Sequence, residues 1–180
     1  EEVVIPVCVH NMGRFFESHK AIDRELQALN QAFSGSSCCD VSLPWCQEGN
    51  CTVGDTHIRF QLAKLDWFGN LQKGETVSSA GSWFACVRKK FLDGKFATVT
   101  EQRLTMQSER IGDGKVLNVF FTDNLLENER GRTSLPDILF SEPALDGVIL
   151  SHSARAGGDN TLYAEGDELA HQVGYVASQN

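Results

Sequence analysis

Hydrophobic and polar positions alternate along the chain in two rhythms. Val3–Val9 (VVIPVCV) is a short β-branched run, the pattern of a buried strand. Ser18 is a good helix N-cap. Ile22, Leu26, Leu29 and Phe33 follow it at four-, three- and four-residue steps. This predicts an amphipathic helix with Arg24, Glu25 and Gln31 on its polar side and a stop at Gly35. Residues 34–56 are rich in Ser, Cys, Gly and Asp and are predicted to be loop. Ile58, Phe60 and Leu62 alternate with Arg59, Gln61 and Ala63, as in a half-buried strand. Trp83–Phe91 (WFACVRKKF) is predicted as a short helix, and Val116–Phe121 (VLNVFF) and Gly147–Ser151 (GVILS) as strands. Gly131–Pro136 suits a short edge strand that Pro136 closes, and Asp167–Val176 a terminal helix. No repeat or linker interrupts this order. The prediction is therefore one domain over residues 1–180, of α/β (α+β) class, with a twisted mixed sheet and at least two packed helices.

Composition narrows the function classes. The chain carries 16 basic and 24 acidic residues, a net charge of −8, and no stripe of Lys or Arg, so nucleic acid is not an expected partner. No apolar run approaches the ~20 residues of a membrane span, so no membrane partner is expected either. The first residues, EEVVIPVCVH, have neither a charged nor an apolar leader region, so a signal peptide is expected to be absent or already removed.

Six cysteines change the picture: Cys8, Cys38, Cys39, Cys46, Cys51 and Cys86. An even count with four clustered in one loop suggests disulfides and an oxidising compartment, and the sequence leaves about fifteen pairings open. Six reduced thiols, or a four-cysteine zinc site at residues 38–51, are the alternatives. Adjacent Cys38 and Cys39 suit the zinc geometry poorly. Asn50-Cys51-Thr52 is a glycosylation sequon, relevant if the chain is secreted.

Candidate chemistry centres on Gly166–Val176 (GDELAHQVGYV). Zinc proteases place His-Glu-x-x-His on a helix, so that two imidazoles four residues apart bind the metal on one face. The Glu between them activates the bound water. The corresponding residues here are His171-Gln172-Val173-Gly174-Tyr175.

The chain resembles the pappalysin/cytophagalysin group of metzincin zinc endopeptidases, especially its short extracellular microbial and fungal members. Asp146-Gly147-Val148-Ile149 followed by a loop and Ala170–Val176 resembles the family's D-G-V-V strand, loop and T-H-E-V-G-H-W helix. VVIPVCVHNM at 3–12, LNQAF at 29–33, HIRFQLAKLD at 57–66 and VLNVFFTDNL at 116–125 resemble upstream family segments in the same order. The resemblance implies a zincin-like N-terminal subdomain: a sheet on a backing helix, with a C-terminal helix of the active-site type.

The departures from the family pattern decide the expected function. His171 keeps the first ligand position, Gln172 stands at the catalytic glutamate and Tyr175 at the second ligand. An amide cannot take and return the water's proton, and phenol is an uncommon zinc ligand. The family's third ligand falls beyond Asn180, and the lower subdomain with its Met-turn is expected to be absent. The site is therefore expected to hold no catalytic residues and no metal. Rebuilding from Glu165, Asp167, Glu168, His152 or Asp159 is the alternative, although acids at a helix start commonly serve the dipole. Ser151-His152 is not a catalytic pair, because adjacent strand residues point to opposite faces. His10 and His57 are expected to be partly buried structural residues. The aromatic and Leu residues at 65–71 and 83–84 are expected in the core, and Asp123–Glu129 in a solvated loop.

The resulting expectation is a secreted, catalytically inactive metalloprotease-like protein that binds a protein or peptide, with no cofactor. The binding residues expected by resemblance are the edge-strand segment Gly131, Arg132, Thr133, Ser134 and Leu135, together with Tyr175. The alternative is a zinc-dependent endopeptidase in truncated or altered form.

Overall fold

A computed structural model describes residues 2–13, 18–34, 55–66, 68–71, 84–90, 98–112, 115–123, 131–133, 147–151 and 173. Strand β1 (Val3–Asn11) is its axis. On one side β1 pairs in parallel with β6 (Leu117–Thr122), which pairs in parallel with β8 (Val148–Ser151). The two-residue strand β7 (Gly131–Arg132) runs antiparallel to β8 and is the last strand on that side among the described residues. On the other side β1 pairs in parallel with β2 (Ile58–Leu62) along its first half and with β5 (Val87–Lys89) along its second. The fold is thus mixed α/β with a mainly parallel sheet, as the sequence predicts.

The pleat of β1 divides the core. Val7 and Val9 point to one face with Phe60, Val119, Phe121, Val148 and Leu150. Helix α1 (His19–Phe33) covers that face with Ile22, Leu26 and Leu29. Its start is fixed by Ser18, whose Oγ accepts the Ala21 N–H at 3.2 Å. Ser34 caps its other end, donating its N–H to the Asn30 carbonyl at 2.9 Å. The opposite face of β1 carries Cys8, His10 and Met12. Cys8 joins Ala63, Leu65, Cys86 and Val116, whereas Met12 joins Phe120 and Ile149.

Helix α1 also closes an edge of the sheet. Asn30 donates from Nδ2 to the Phe60 carbonyl (2.9 Å) and accepts the Phe60 N–H on Oδ1 (2.7 Å). The side-chain amide thus occupies the two outward backbone groups of Phe60, much as a neighbouring strand would.

Several expectations are corrected. Trp83–Phe91 is not a helix. Its described part forms β4 (Phe84–Ala85), antiparallel to β3 (Lys64–Leu65), and then β5. Tertiary pairing decides this segment. Cys86 is bonded to Cys8 and donates its N–H to the Ala63 carbonyl, while its own carbonyl accepts the Val9 N–H. The chain leaves β1 at the end of β2, makes the β3–β4 excursion, and returns in line as β5. Helix α2 (Val99–Gln107) is unpredicted. Glu25 is buried within the core-facing stripe of α1, three residues after Ile22 and four before Leu29. His57 precedes β2 at φ 58° and is exposed. Phe68 is 87% exposed and Phe84 45%, so among the described residues of that group Leu65 is buried and Leu71 is half-buried beside it.

Candidate functional site

Parallel strands bring their carboxyl ends together, and α/β sheets place ligands there. Here β1, β6 and β8 end on Asn11, Thr122 and Ser151, a row of three buried polar residues. Strand β7 lies beside this row, with Gly131 opposite Leu150 and Arg132 opposite Ile149. Among the described residues Gly131 and Arg132 thus stand last in the strand order on that side. Thr133 follows the strand and is half-buried. Ser134 and Leu135 lie outside the described residues.

Val173 is the one described residue of the His171–Tyr175 segment. It is helical, half-buried and packed against the core cluster that also contains Ile22, Leu26 and Leu29. The 173 position thus sits on the α1 side of the sheet. His171, Gln172 and Tyr175 lie outside the described residues, as do Asn50, Cys38, Cys39, Cys46 and Cys51. Of the six candidate cysteines, Cys8 and Cys86 form a disulfide with a Cα–Cα distance of 4.9 Å.

Would a catalytic zinc fit? Among the described residues no group of three or more His, Cys, Asp or Glu could hold a metal ion. The motif itself offers one imidazole, one amide and one phenol. That donor set does not fit a catalytic zinc, which takes about three protein ligands of His, Cys or carboxylate type.

A second polar centre lies on the face of β1 away from α1. Asn118 accepts the Ile111 N–H on Oδ1 (2.8 Å) and donates from Nδ2 to the carbonyls of Ile111 and Val116 (both 3.1 Å). These bonds fix the amide's orientation. Its Oδ1 also meets His10 Nε2 at 2.9 Å, so Nε2 must carry the hydrogen. His10 is 2% exposed and stacks on Phe120, with ring centroids 4.5 Å apart. The expected structural role of His10 is therefore the observed one, and its burial exceeds the expectation. Asn118 is unanticipated. A polar residue in the apolar run VLNVFF, facing a histidine in a parallel neighbour, is the available signal.

Burial holds the His10 imidazole below its ordinary pKa, with the Arg88 charge acting the same way against the Asn118 hydrogen bond and Glu109. A depressed histidine gives a definite sign. Below pH ~6.5 the unfolded chain takes up a proton that the folded chain refuses, so stability is full above that pH and falls as pH drops from there. The expected slope is at most about 1.4 kcal/mol per pH unit. A further loss is expected below pH ~4, where Asp55, held at about 2 by its hydrogen bond from Arg59, and Asp66, lowered by its bonds from Asn70, become protonated. Urea midpoints measured from pH 8 to pH 3 check both windows. A flat midpoint between pH 7 and pH 5 contradicts the assignment of His10.

No family model matches the sequence, and no curated protein matches it. Solved structures match its fold. The chain is similar to mature mirolysin of Tannerella forsythia in complex with a cleaved peptide (TM-score 0.70, 20% identity, covering 98% of this chain and 63% of that one). It is also similar to a T. forsythia promirolysin mutant (0.70, 19%, 97% and 55%) and to mirolysin in complex with a small compound (0.68, 20%, 97% and 62%). Mirolysin is a metzincin-type metalloprotease, so the fold is zincin-like. The chain spans less than two thirds of the length of these solved chains. Among the described residues no helix is long and apolar enough to cross a membrane.

Proposed function

We propose that this zincin-like chain is a secreted, peptide-binding protein that does not cleave what it holds. The observation that carries the reading is the motif His171-Gln172-Val173-Gly174-Tyr175. The residue that should move the water's proton is an amide, and the second ligand is a phenol. Helical geometry adds support. Positions two residues either side of Val173 lie roughly 200° round a helix from it. With Val173 against the sheet, His171 and Tyr175 are then proposed to face the cleft.

The proposed ligand is an extended protein or peptide segment paired to the 131–135 edge, whose backbone groups are a template for strand addition. The mirolysin complex with a cleaved peptide makes a peptide the natural ligand class. Tyr175 would supply an aromatic contact rather than chemistry.

The alternative is a zinc-dependent endopeptidase whose remaining ligands come from a longer protein. The observation in its favour is that the chain spans 63% of the mirolysin chain it matches.

Metal content and turnover separate the two. Purified without chelator or histidine tag, the protein is expected to hold no stoichiometric zinc and to leave a fluorogenic peptide library uncut. One zinc per chain that is lost in His171→Ala, or measurable turnover, establishes the alternative. For binding, Ser134→Pro removes a main-chain donor from the edge and should weaken a selected peptide about tenfold with thermal melting unchanged. Full-strength binding by both Ser134→Pro and Tyr175→Ala sinks the cleft assignment.

A further inference from the structure

Strand β2 sends its backbone polar groups in two directions. His57 and Ala63, which flank it, turn theirs toward β1: Val3 donates its N–H to the His57 carbonyl, and Ala63 donates its own to the Val7 carbonyl. The direction alternates along a strand. Arg59 and Gln61 therefore share that side, and Ile58, Phe60 and Leu62 turn their N–H and C=O groups outward. Among the described residues β2 stands last in the strand order on this side. A groove of about 510 Å³ runs outside it, lined by Leu26, Gln27, Asn30 and Gln31 of α1 and by Arg59. Outward groups beside open space are what a foreign strand pairs with.

Here those groups are taken by side chains of the same molecule. The Ile58 N–H donates to Thr56 Oγ1 at 3.2 Å. That hydroxyl gives its own hydrogen to the Phe33 carbonyl (2.7 Å), so a lone pair is left for Ile58. The Ile58 carbonyl accepts from Arg59 Nη1 at 2.9 Å. Two hydrogen bonds to Asp55, at 2.9 and 2.6 Å, hold that guanidinium in place. The Asn30 amide takes both groups of Phe60, at 2.7 and 2.9 Å. Both outward residues are thus closed by side chains drawn from α1, from the turn before β2 and from β2 itself. Beside an open groove water could satisfy the same groups without ordering any side chain, so hydrogen-bond satisfaction alone does not call for this arrangement.

We propose that Asn30, Thr56 and Arg59 form an edge guard that keeps β2 from pairing with a strand of a second copy of this chain. A second copy is the partner to exclude, because it is present at the protein's own concentration and carries the same outward groups. Asn30 is the residue on which the guard depends. Thr56 and Arg59 each take one group of a residue at most two positions away, whereas Asn30 reaches across from α1 and fills both groups of the strand's central residue. The guard does not rest on the peptide-binding reading above.

Sedimentation velocity of the full chain, over a wide range of concentration, compares the parent with three variants. Asn30→Ala removes the clasp, and Asn30→Ser is too short to fill both groups of Phe60. Gln27→Ala alters the same groove and leaves the clasp in place. Both Asn30 variants are expected to self-associate at least tenfold more tightly than the parent, and Gln27→Ala no more tightly. Alanine favours a helix more than asparagine does, so α1 should persist in Asn30→Ala, and thermal melting at low concentration checks this. Amide hydrogen exchange tests the guard in the parent itself, with no substitution. There the Phe60 N–H should be protected nearly as well as that of Gln61, which faces β1. In Asn30→Ala at low concentration Phe60 should exchange at least tenfold faster relative to Gln61, and its protection should return as concentration rises. An unprotected Phe60 in the parent, an unchanged Phe60 rate in folded Asn30→Ala, or self-association equal to the parent in both Asn30 variants overturns the proposal.

Discussion

Replacing Cys8 and Cys86 together by alanine is expected to destabilise the protein by about 4 to 5 kcal/mol. The bond joins residues 78 apart in sequence, so cutting it frees a long loop in the unfolded chain. Loop-closure entropy for that length is of this size. Both cysteines are fully buried where β1, β2 and β5 meet, so two small voids add to the loss. Urea titration should therefore give a lower midpoint. It should also give a steeper slope, because the uncrosslinked denatured chain exposes more surface. Under native conditions a mild reductant should leave the bond intact, and mass measurement after alkylation should find these two sulfurs blocked until denaturant is added. A double variant within about 1 kcal/mol of the parent, far below the usual range for a native bridge, contradicts this account.

Gly147→Ala is expected to cost about 3 kcal/mol or more, from backbone strain and overpacking together. Gly147 enters β8 at φ 123°, a conformation that side-chain-bearing residues rarely adopt. A Cβ there would lie 2.7 Å from Phe120 Cε2 and 3.1 Å from the Asn118 carbonyl oxygen. The clash falls on the ring that stacks on His10, so the substitution should disturb the polar centre as well as the sheet. A second change, Phe120→Leu, separates the causes. It should recover the steric part in the double variant and leave the backbone part. Chemical denaturation of the three proteins measures this, and a Gly147→Ala variant as stable as the parent refutes it.

The sequence made the parallel strands legible because β6, β8 and the second half of β1 are buried on both faces, and the three strands consist largely of Val, Phe, Ile and Leu. The stripe of α1 was equally plain, yet Glu25 was misplaced. Its polarity suggests the solvent side, but its angular position between Ile22 and Leu29 puts it inward. Helix α2 was hidden for a related reason. Its buried positions include Gln102 and Gln107, so no apolar stripe announces it. Its start was readable from Thr98-x-x-Glu101, since Thr98 Oγ1 accepts the Glu101 N–H at 3.1 Å. The aromatic Phe68 looked like core material because composition does not reveal a turn. Asp66 Oδ1 accepts the N–H groups of both Phe68 and Asn70, and that turn leaves the ring outside. In the candidate cleft, the edge position of 131–132 followed from the short run before Pro136. The His10–Asn118 centre did not, because it joins residues 108 apart that only strand register brings together.

The Asn30 clasp on Phe60 has a consequence for how copies of this protein can associate. A sheet with two bare edges is bivalent: each added copy offers a fresh edge, and stacking can continue into fibres. With the amide seated at Phe60, pairing is obstructed at that point of β2, so a second copy adding there must first displace the asparagine. On this side, among the described residues, the bivalence that growth requires is interrupted by one side chain.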